Sequence, residues 1–202
     1  MILVFLVAYL LGSIPTAVWI SKLFFGVDVR TLGSGNAGAT NVARTLGWKA
    51  ALPVVLVDVG KGALAAGLPA LLGISSPPWL AMACAAAAVV GHTFPLFASF
   101  KGGKGVATAG GALLVLAPAL VGLAAAAWLA MVLVTRIVSV ASLSAAVALA
   151  TGAFIWPQKA WGIQPLALAL ALFVFWTHRQ NLRRLLAGQE ARFKFGQWKE
   201  KP

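Results

Sequence analysis

At 202 residues the chain could form one or two soluble domains. A content of 61% hydrophobic against 10% charged residues, with a mean hydropathy of +0.93, excludes that class and points to a polytopic membrane protein. Sixteen basic against four acidic residues give a net charge of +12. The basic residues sit in short loops between apolar runs, which is how membrane topology is written, so no nucleic-acid partner is expected.

The first apolar run, residues 2–25, lacks a positive flank and is longer than a signal-peptide core; it reads as a retained span. The loop after it carries TLGSGNAGATNVAR, residues 31–44. Three glycines in six residues free the backbone to turn sharply, and Ser34, Asn36, Thr40 and Asn41 supply short polar groups between and after them. Arg44 closes the stretch with a fixed-charge fork suited to phosphate.

The second span, 50–74, contains Asp58 and Lys61. Charges inside a membrane are costly and usually pair, and the i, i+3 spacing predicts a supporting ion pair. Ser75-Ser76-Pro77-Pro78 makes a tight turn into the third span, 79–98. Cys84 lies within that apolar run. As the single cysteine it excludes intramolecular disulfides and thiolate metal sites, and a buried thiol there is a poor nucleophile.

Next comes FKGGKGVATAGG, five glycines around Lys101 and Lys104. A nucleotide P-loop needs G-x-x-x-x-G-K-[ST] after a strand. Here Lys104 is followed by Gly105 and Val106, and an apolar run precedes it, so that reading fails. What survives is the physics of backbone N–H groups and lysine at a helix start, an anion cradle formed by Lys101, Gly102, Gly103, Lys104 and Gly105.

Residues 108–135 are interrupted by Pro118 and Gly122. Read as two short helices meeting near Pro118, they return the chain to the face it left. That choice places nearly all the loop cations on one side and Lys159 on the other, as the positive-inside rule asks. Spans at 138–156 and 164–177 follow. The expectation is an all-α membrane protein of seven transmembrane helices, two of them short, with the N-terminus outside and the C-terminus cytoplasmic. Residues 1–193 form one domain and 194–202 a basic tail.

Two further polar patches fall on the cytoplasmic side. Ser139, Ser142 and Ser144 follow Arg136; for Ser142, helix packing and substrate contact are equally open. At the end of the last span, His178 and Asn181 share a helix face, and Glu190 is placed to pair with an arginine. Arg183 and Arg184 read as contacts to anionic lipid. Several cations and two glycine loops on one face ask for a phosphorylated substrate. With two histidines, four acids and no clustering, metal ligands are not expected. Neither histidine begins the H-x-x-x-x-D of soluble-type glycerolipid acyltransferases, since Phe97 follows His92 by five and Arg183 follows His178 by five.

GSGNAGATNVAR, GHTFPLFASFKGGKGVAT, SVAS and HRQNLRRLLAGQE, in this order, resemble the bacterial acyl-phosphate:glycerol-3-phosphate acyltransferase family from about Leu10 to Phe193. The resemblance implies an inner-membrane enzyme with a cytoplasmic active site. It implies transfer of a fatty acyl group from acyl phosphate to the 1-hydroxyl of sn-glycerol 3-phosphate, giving lysophosphatidate and phosphate. It implies no cofactor or metal, and a soluble enzyme that hands over the acyl phosphate as a partner. By similarity Ser34 and Arg44 match essential residues, and Lys104 with its glycines matches the glycerol-3-phosphate cradle. Ser142, His178 and Asn181 match polar active-site positions, while Glu190 matches a structural acid. The proton acceptor stays open between His178 and a substrate phosphate. A small organophosphate transporter is the alternative, although it would want midplane anion sites and internal repeats.

Overall fold

The computed structural model describes residues 1–75, 77–156 and 162–193; their regular structure is helical, with no strand among them. Ser76 of the expected turn, Lys159 and the 194–202 tail lie outside the described residues.

The first span is broken rather than continuous. α1 (Ile2–Gly12) stops at Ser13-Ile14-Pro15 and α2 (Thr16–Phe25) resumes beyond it. Proline has no N–H to continue the ladder, so the chain is redirected there. Gly26, left-handed at φ 66°, ends α2. The short α3 (Ala39–Leu46) follows the first glycine loop and leads into α4 (Trp48–Leu71). α5 (Trp79–Thr93) stops just ahead of Phe94-Pro95, where a residue before proline disfavours the α region.

α6 (Val106–Leu116) and α7 (Pro118–Thr135) meet at Ala117, with Pro118 at the first position of α7. The expected break therefore falls where the sequence placed it. The second piece is the longer, at 18 residues against 11. α8 (Val138–Ile155), α9 (Ile163–Thr177) and α10 (Arg179–Leu186) complete the chain.

Among the described residues, five helical stretches have the length and apolarity to cross a membrane: Ile2–Phe25, Trp48–Leu71, Trp79–Ala98, Pro118–Thr135 and Val138–Ile155. Val106–Leu116 and Ile163–Thr177 are apolar but shorter. The outer surface carries many large apolar side chains, among them Leu56, Leu133, Val134, Phe154 and Leu172. A water-soluble monomer rarely exposes that much apolar surface, whereas lipid accepts it.

Two helices that carry the site are held close by small residues. A Cβ on Gly62 of α4 would overlap the Thr108 carbonyl of α6, and one on Gly111 would overlap the Val59 carbonyl of α4. Close backbone approach through small residues is how helices gain packing energy in lipid, where burying apolar surface gains little. Val89, Leu113, Leu120, Leu149, Ile163 and Leu170 build the core between α5, α6, α7, α8 and α9. Val29, Val42, Ala50 and Val54 seat the first glycine loop on α2, α3 and α4.

Candidate active site

A cavity of about 540 Å³ opens among α3, α4, α5, α6, α7, α8, α9 and α10. One end is polar, formed by Ser34, Arg44, Lys104, Ser142, His178 and Asn181. The other is apolar, formed by Leu113, Val121, Ala124, Leu149 and Leu170. The four polar patches of the sequence thus meet at one mouth.

The first loop is held by Asn41. Its side-chain oxygen accepts from the Ser34 N–H at 3.0 Å, and its amide donates to the carbonyls of Val29 and Leu32 at 3.0 Å each. Those bonds make Asn41 the residue that fixes the loop, and it also lines the cavity. Gly33 and Gly35 take left-handed φ of 56° and 72°, which turn the backbone so that Ser34 lies at the rim. Asn36 and Thr40 also line the cavity.

Arg44 donates from one terminal nitrogen to the Ala191 carbonyl at 3.1 Å, while its Nε is buried without a hydrogen-bond partner. A guanidinium N–H left unpaired in a cavity wall is a donor waiting for an acceptor. Burial lowers the Arg44 pKa from its ordinary value, yet a guanidinium stays charged at any physiological pH.

The second loop departs from the expected cradle. The N–H of Gly102 donates to the Thr93 carbonyl and that of Gly103 to the His92 carbonyl, both at 3.1 Å. Neither N–H is free for an anion, and Lys101, Gly102 and Gly103 lie outside the cavity lining. Their glycines answer a packing demand: a Cβ on Gly102 would overlap the His92 carbonyl, and one on Gly103 the His92 Nε2. Lys104, Gly105 and the first turn of α6 do line the cavity, and that turn leaves N–H groups without intrahelical acceptors.

Lys104 Nζ donates to Asn181 Oδ1, and Asn181 Nδ2 donates to Glu190 Oε1 at 2.6 Å. Glu190 also accepts from Ser139 Oγ at 2.9 Å and from Arg184 Nε at 2.7 Å. The expected arginine partner of Glu190 is therefore Arg184, which is engaged in the protein instead of facing lipid headgroups. Burial pushes the Glu190 carboxyl up, but hydrogen bonds from Arg184, Asn181 and Ser139, together with the Arg184 charge, outweigh it and hold the pKa below its usual value. Burial is the main reason the Lys104 ammonium falls from 10.5 to about 8; Glu190 opposes that shift, and Arg184 and Arg44 add to it.

His178 stands between α9 and α10, 3% exposed, with Nδ1 at 2.8 Å from the Val174 carbonyl. Burial, then the Lys104 charge, lower its pKa from 6.5 to about 4. It is neutral at physiological pH. With Nδ1 donating to the backbone, Nε2 is the acceptor. Ser142, left open by sequence, lines the cavity and accepts from Trp128 Nε1 at 3.3 Å.

Asp58 and Lys61 form the expected pair, Nζ to Oδ1 at 2.8 Å, and Lys61 also donates to the Ile14 carbonyl at the α1–α2 break. Sequence reasoning missed three participants. Ser139 binds Glu190; Arg184 binds the same carboxylate; His92, beside Asp58, forms part of the cavity wall. Only for His92 was there a signal, its position inside the motif that precedes the second loop.

A family model described as glycerol-3-phosphate acyltransferase matches residues 2–188. The chain is 43% identical to a glycerol-3-phosphate acyltransferase of Enterococcus faecalis, covering 96% of this chain and 93% of that one. A Thermus thermophilus glycerol-3-phosphate acyltransferase is 44% identical, covering 93% and 92%. The crystal structure of PlsY, an integral membrane glycerol 3-phosphate acyltransferase, in its glycerol 3-phosphate form superposes with a TM-score of 0.87 at 39% identity, covering 96% of this chain and 95% of that one. Its lysophosphatidic acid form gives 0.84 at 37% identity.

Proposed function

The chain belongs to the glycerol-3-phosphate acyltransferase family, and from that premise we propose that its acyl donor is acyl phosphate and its product 1-acyl-sn-glycerol 3-phosphate. The observation that carries this reading is the cavity itself. A cationic mouth suited to phosphate passes directly into an apolar interior suited to an acyl chain. Gly110 on α6 lines the passage with open space where a Cβ would stand, leaving room for the first methylenes.

Arg44 and Lys104 bind phosphate oxygens, helped by the free N–H groups at the start of α6. Ser34 and Asn181 orient the glycerol. The 1-hydroxyl oxygen attacks the acyl carbonyl, the bond from that carbon to the phosphate oxygen breaks, and inorganic phosphate leaves with the electron pair. The hydroxyl proton goes to a phosphate oxygen. His178 at about 4 is a weaker base than a phosphate monoester, whose second pKa is about 6, which favours the substrate as proton acceptor and His178 Nε2 as an orienting hydrogen-bond acceptor. No acyl-enzyme is needed. Positioning can supply about 7–11 kcal/mol and one oxyanion donor about 3–4 kcal/mol, without a cofactor.

Loop contacts support the seven-helix arrangement. Arg30 donates to the Ala98 carbonyl, Arg44 to that of Ala191, and the Phe193 N–H to that of Arg136. Four connections thus share one face, with α6 and α7 leaving and returning to it. The cation excess there makes it the cytoplasmic face of a bacterial inner membrane, with the N-terminus outside. A soluble enzyme supplies the donor, and residues 1–193 act as one domain.

The test is purified protein in detergent with palmitoyl phosphate and labelled glycerol 3-phosphate. Lysophosphatidate formed without CoA, carrier protein or added metal is the expected result. Product only from a thioester donor, or vesicle uptake without acylation, would overturn the reading. Ser34→Ala should abolish turnover, and near-normal turnover of His178→Gln would settle the proton acceptor as substrate.

A further inference from the structure

His92 has no place in the chemistry above, yet it stands where the two glycine loops meet. Its backbone carbonyl accepts the Gly103 N–H at 3.1 Å. Its ring occupies the volume a Gly103 side chain would need, since a Cβ there would overlap Nε2. The Ala37 carbonyl of the first loop lies 3.1 Å from the same Cβ position. The Gly103 backbone therefore lies close to both the imidazole and the first loop.

Beneath, the ring is anchored. Nδ1 faces Asp58 Oδ1 at 3.5 Å, and the same oxygen takes Lys61 Nζ at 2.8 Å and Thr16 Oγ1 at 3.2 Å. Lys61 carries the network on to the Ile14 carbonyl at the α1–α2 break. All three charged or polar side chains, Asp58, Lys61 and His92, are buried at 2%, 3% and 8% exposure. A chain of buried polar contacts thus runs from the break in the first span, through α4 and the imidazole, to the residue before Lys104. A satisfied buried network of this kind specifies one geometry at high cost to any alternative.

We infer that His92 is a positioning residue: its ring, oriented by Asp58, sets the spacing between the two glycine loops and so the placement of Lys104 opposite Arg44. It acts through Lys104, without touching substrate. This rests on the assignment of Lys104 to phosphate binding made above.

The experiment measures binding of glycerol 3-phosphate to the detergent-solubilised full chain by calorimetry, beside steady-state kinetics with palmitoyl phosphate. The variants are His92→Gln, His92→Ala, Gly103→Ala and the double His92→Ala/Gly103→Ala. His92→Gln and Gly103→Ala should each weaken glycerol 3-phosphate binding by tenfold or more and raise its KM in step. The KM for palmitoyl phosphate should stay within about twofold. The double variant should bind better than either alanine single, because the added methyl enters the volume the ring vacated.

A double variant no better than His92→Ala would show direct contact with substrate or no coupling, and would overturn the inference. So would equal loss at both substrates, the mark of a merely structural role. Binding is read without the donor. A wild type that binds glycerol 3-phosphate but does not use palmitoyl phosphate therefore fails the donor assignment alone, and the comparison among variants still decides this one.

Discussion

The two glycine-rich loops look alike in sequence, yet Gly35 of the first and Gly102 and Gly103 of the second are glycine for opposite reasons. In the first, Gly33 and Gly35 adopt left-handed backbone, and the loop they form carries Ser34 and Asn36 to the cavity and leads into α3, which carries Arg44 there. In the second, Gly102 and Gly103 are absent from the residues of positive φ; they are glycine because α5 lies against them. Gly35 needs rotational freedom and Gly102 and Gly103 need the absence of a side chain, while Gly33 and Gly105, left-handed and closely packed, need both. Glycine content alone does not say whether a loop cradles a ligand or merely packs closely enough to deliver its neighbour.

The largest expected effect comes from filling the packed loop. In Gly102→Ala the new methyl meets the His92 carbonyl, a backbone atom that cannot rotate away. Overpacking of this sort costs about 1–3 kcal/mol when neighbours can adjust, and more when they cannot. The loop must lift, carrying Lys104 with it, so turnover should fall by about 100-fold or more, alongside a lowered unfolding midpoint. Gly102→Asn should do no better, because the conflict is steric. Recovery by asparagine would place this loop in the same class as the first and end the contrast.

Gly35→Ala should cost less. Its added Cβ would reach only the Arg30 carbonyl, at an ordinary 3.4 Å, so the penalty is that of φ 72° in an alanine. That is about 1–2 kcal/mol, or roughly a fivefold to thirtyfold loss in kcat/KM for glycerol 3-phosphate. Asparagine tolerates the left-handed region, so Gly35→Asn should recover most of it. Kinetics of the alanine and asparagine pair at both positions provide the check.

Much of this site was legible because its chemistry is local. Arg44 after a polar glycine loop, Lys104 before a helix, His178 and Asn181 on one face, and the i, i+3 pair of Asp58 and Lys61 all announce themselves within a few residues. Pro118 likewise marks the break between α6 and α7, because proline acts on its own helix. The rest depended on contacts between distant segments. Nothing near Gly102 says that its N–H belongs to Thr93, and nothing near Arg184 distinguishes it from Arg183 until Glu190 folds back over Asn181. Asn41 carried the right residue type for a ligand contact, but whether its amide faces a substrate or its own loop is settled by three-dimensional packing. The break in the first span was hidden for another reason: Pro15 is visible, but apolarity continues across it.

The two loops also differ in the cation each presents, and this gives the smallest effect and the cleanest separation. Arg44 of the first loop is charged at every accessible pH. Lys104 of the second, lowered by burial to about 8, gives up its proton within the working range. Phosphate binding needs the ammonium, so kcat/KM for glycerol 3-phosphate should fall as pH rises through 8. Between pH 7 and pH 8.5 the charged fraction drops about fourfold. Glu190, Arg184, Arg44 and His178 are the charged or titratable groups nearest this balance, and only His178 is also far from its ordinary range, already neutral across the interval. Lys104→Arg should lower activity overall, since a planar fork does not reproduce an ammonium bonded to Asn181, but it should remove the alkaline fall. A pH profile in which that variant keeps the fall would assign the titration elsewhere. In that case the second loop would deliver geometry alone, and the first would hold the phosphate by itself.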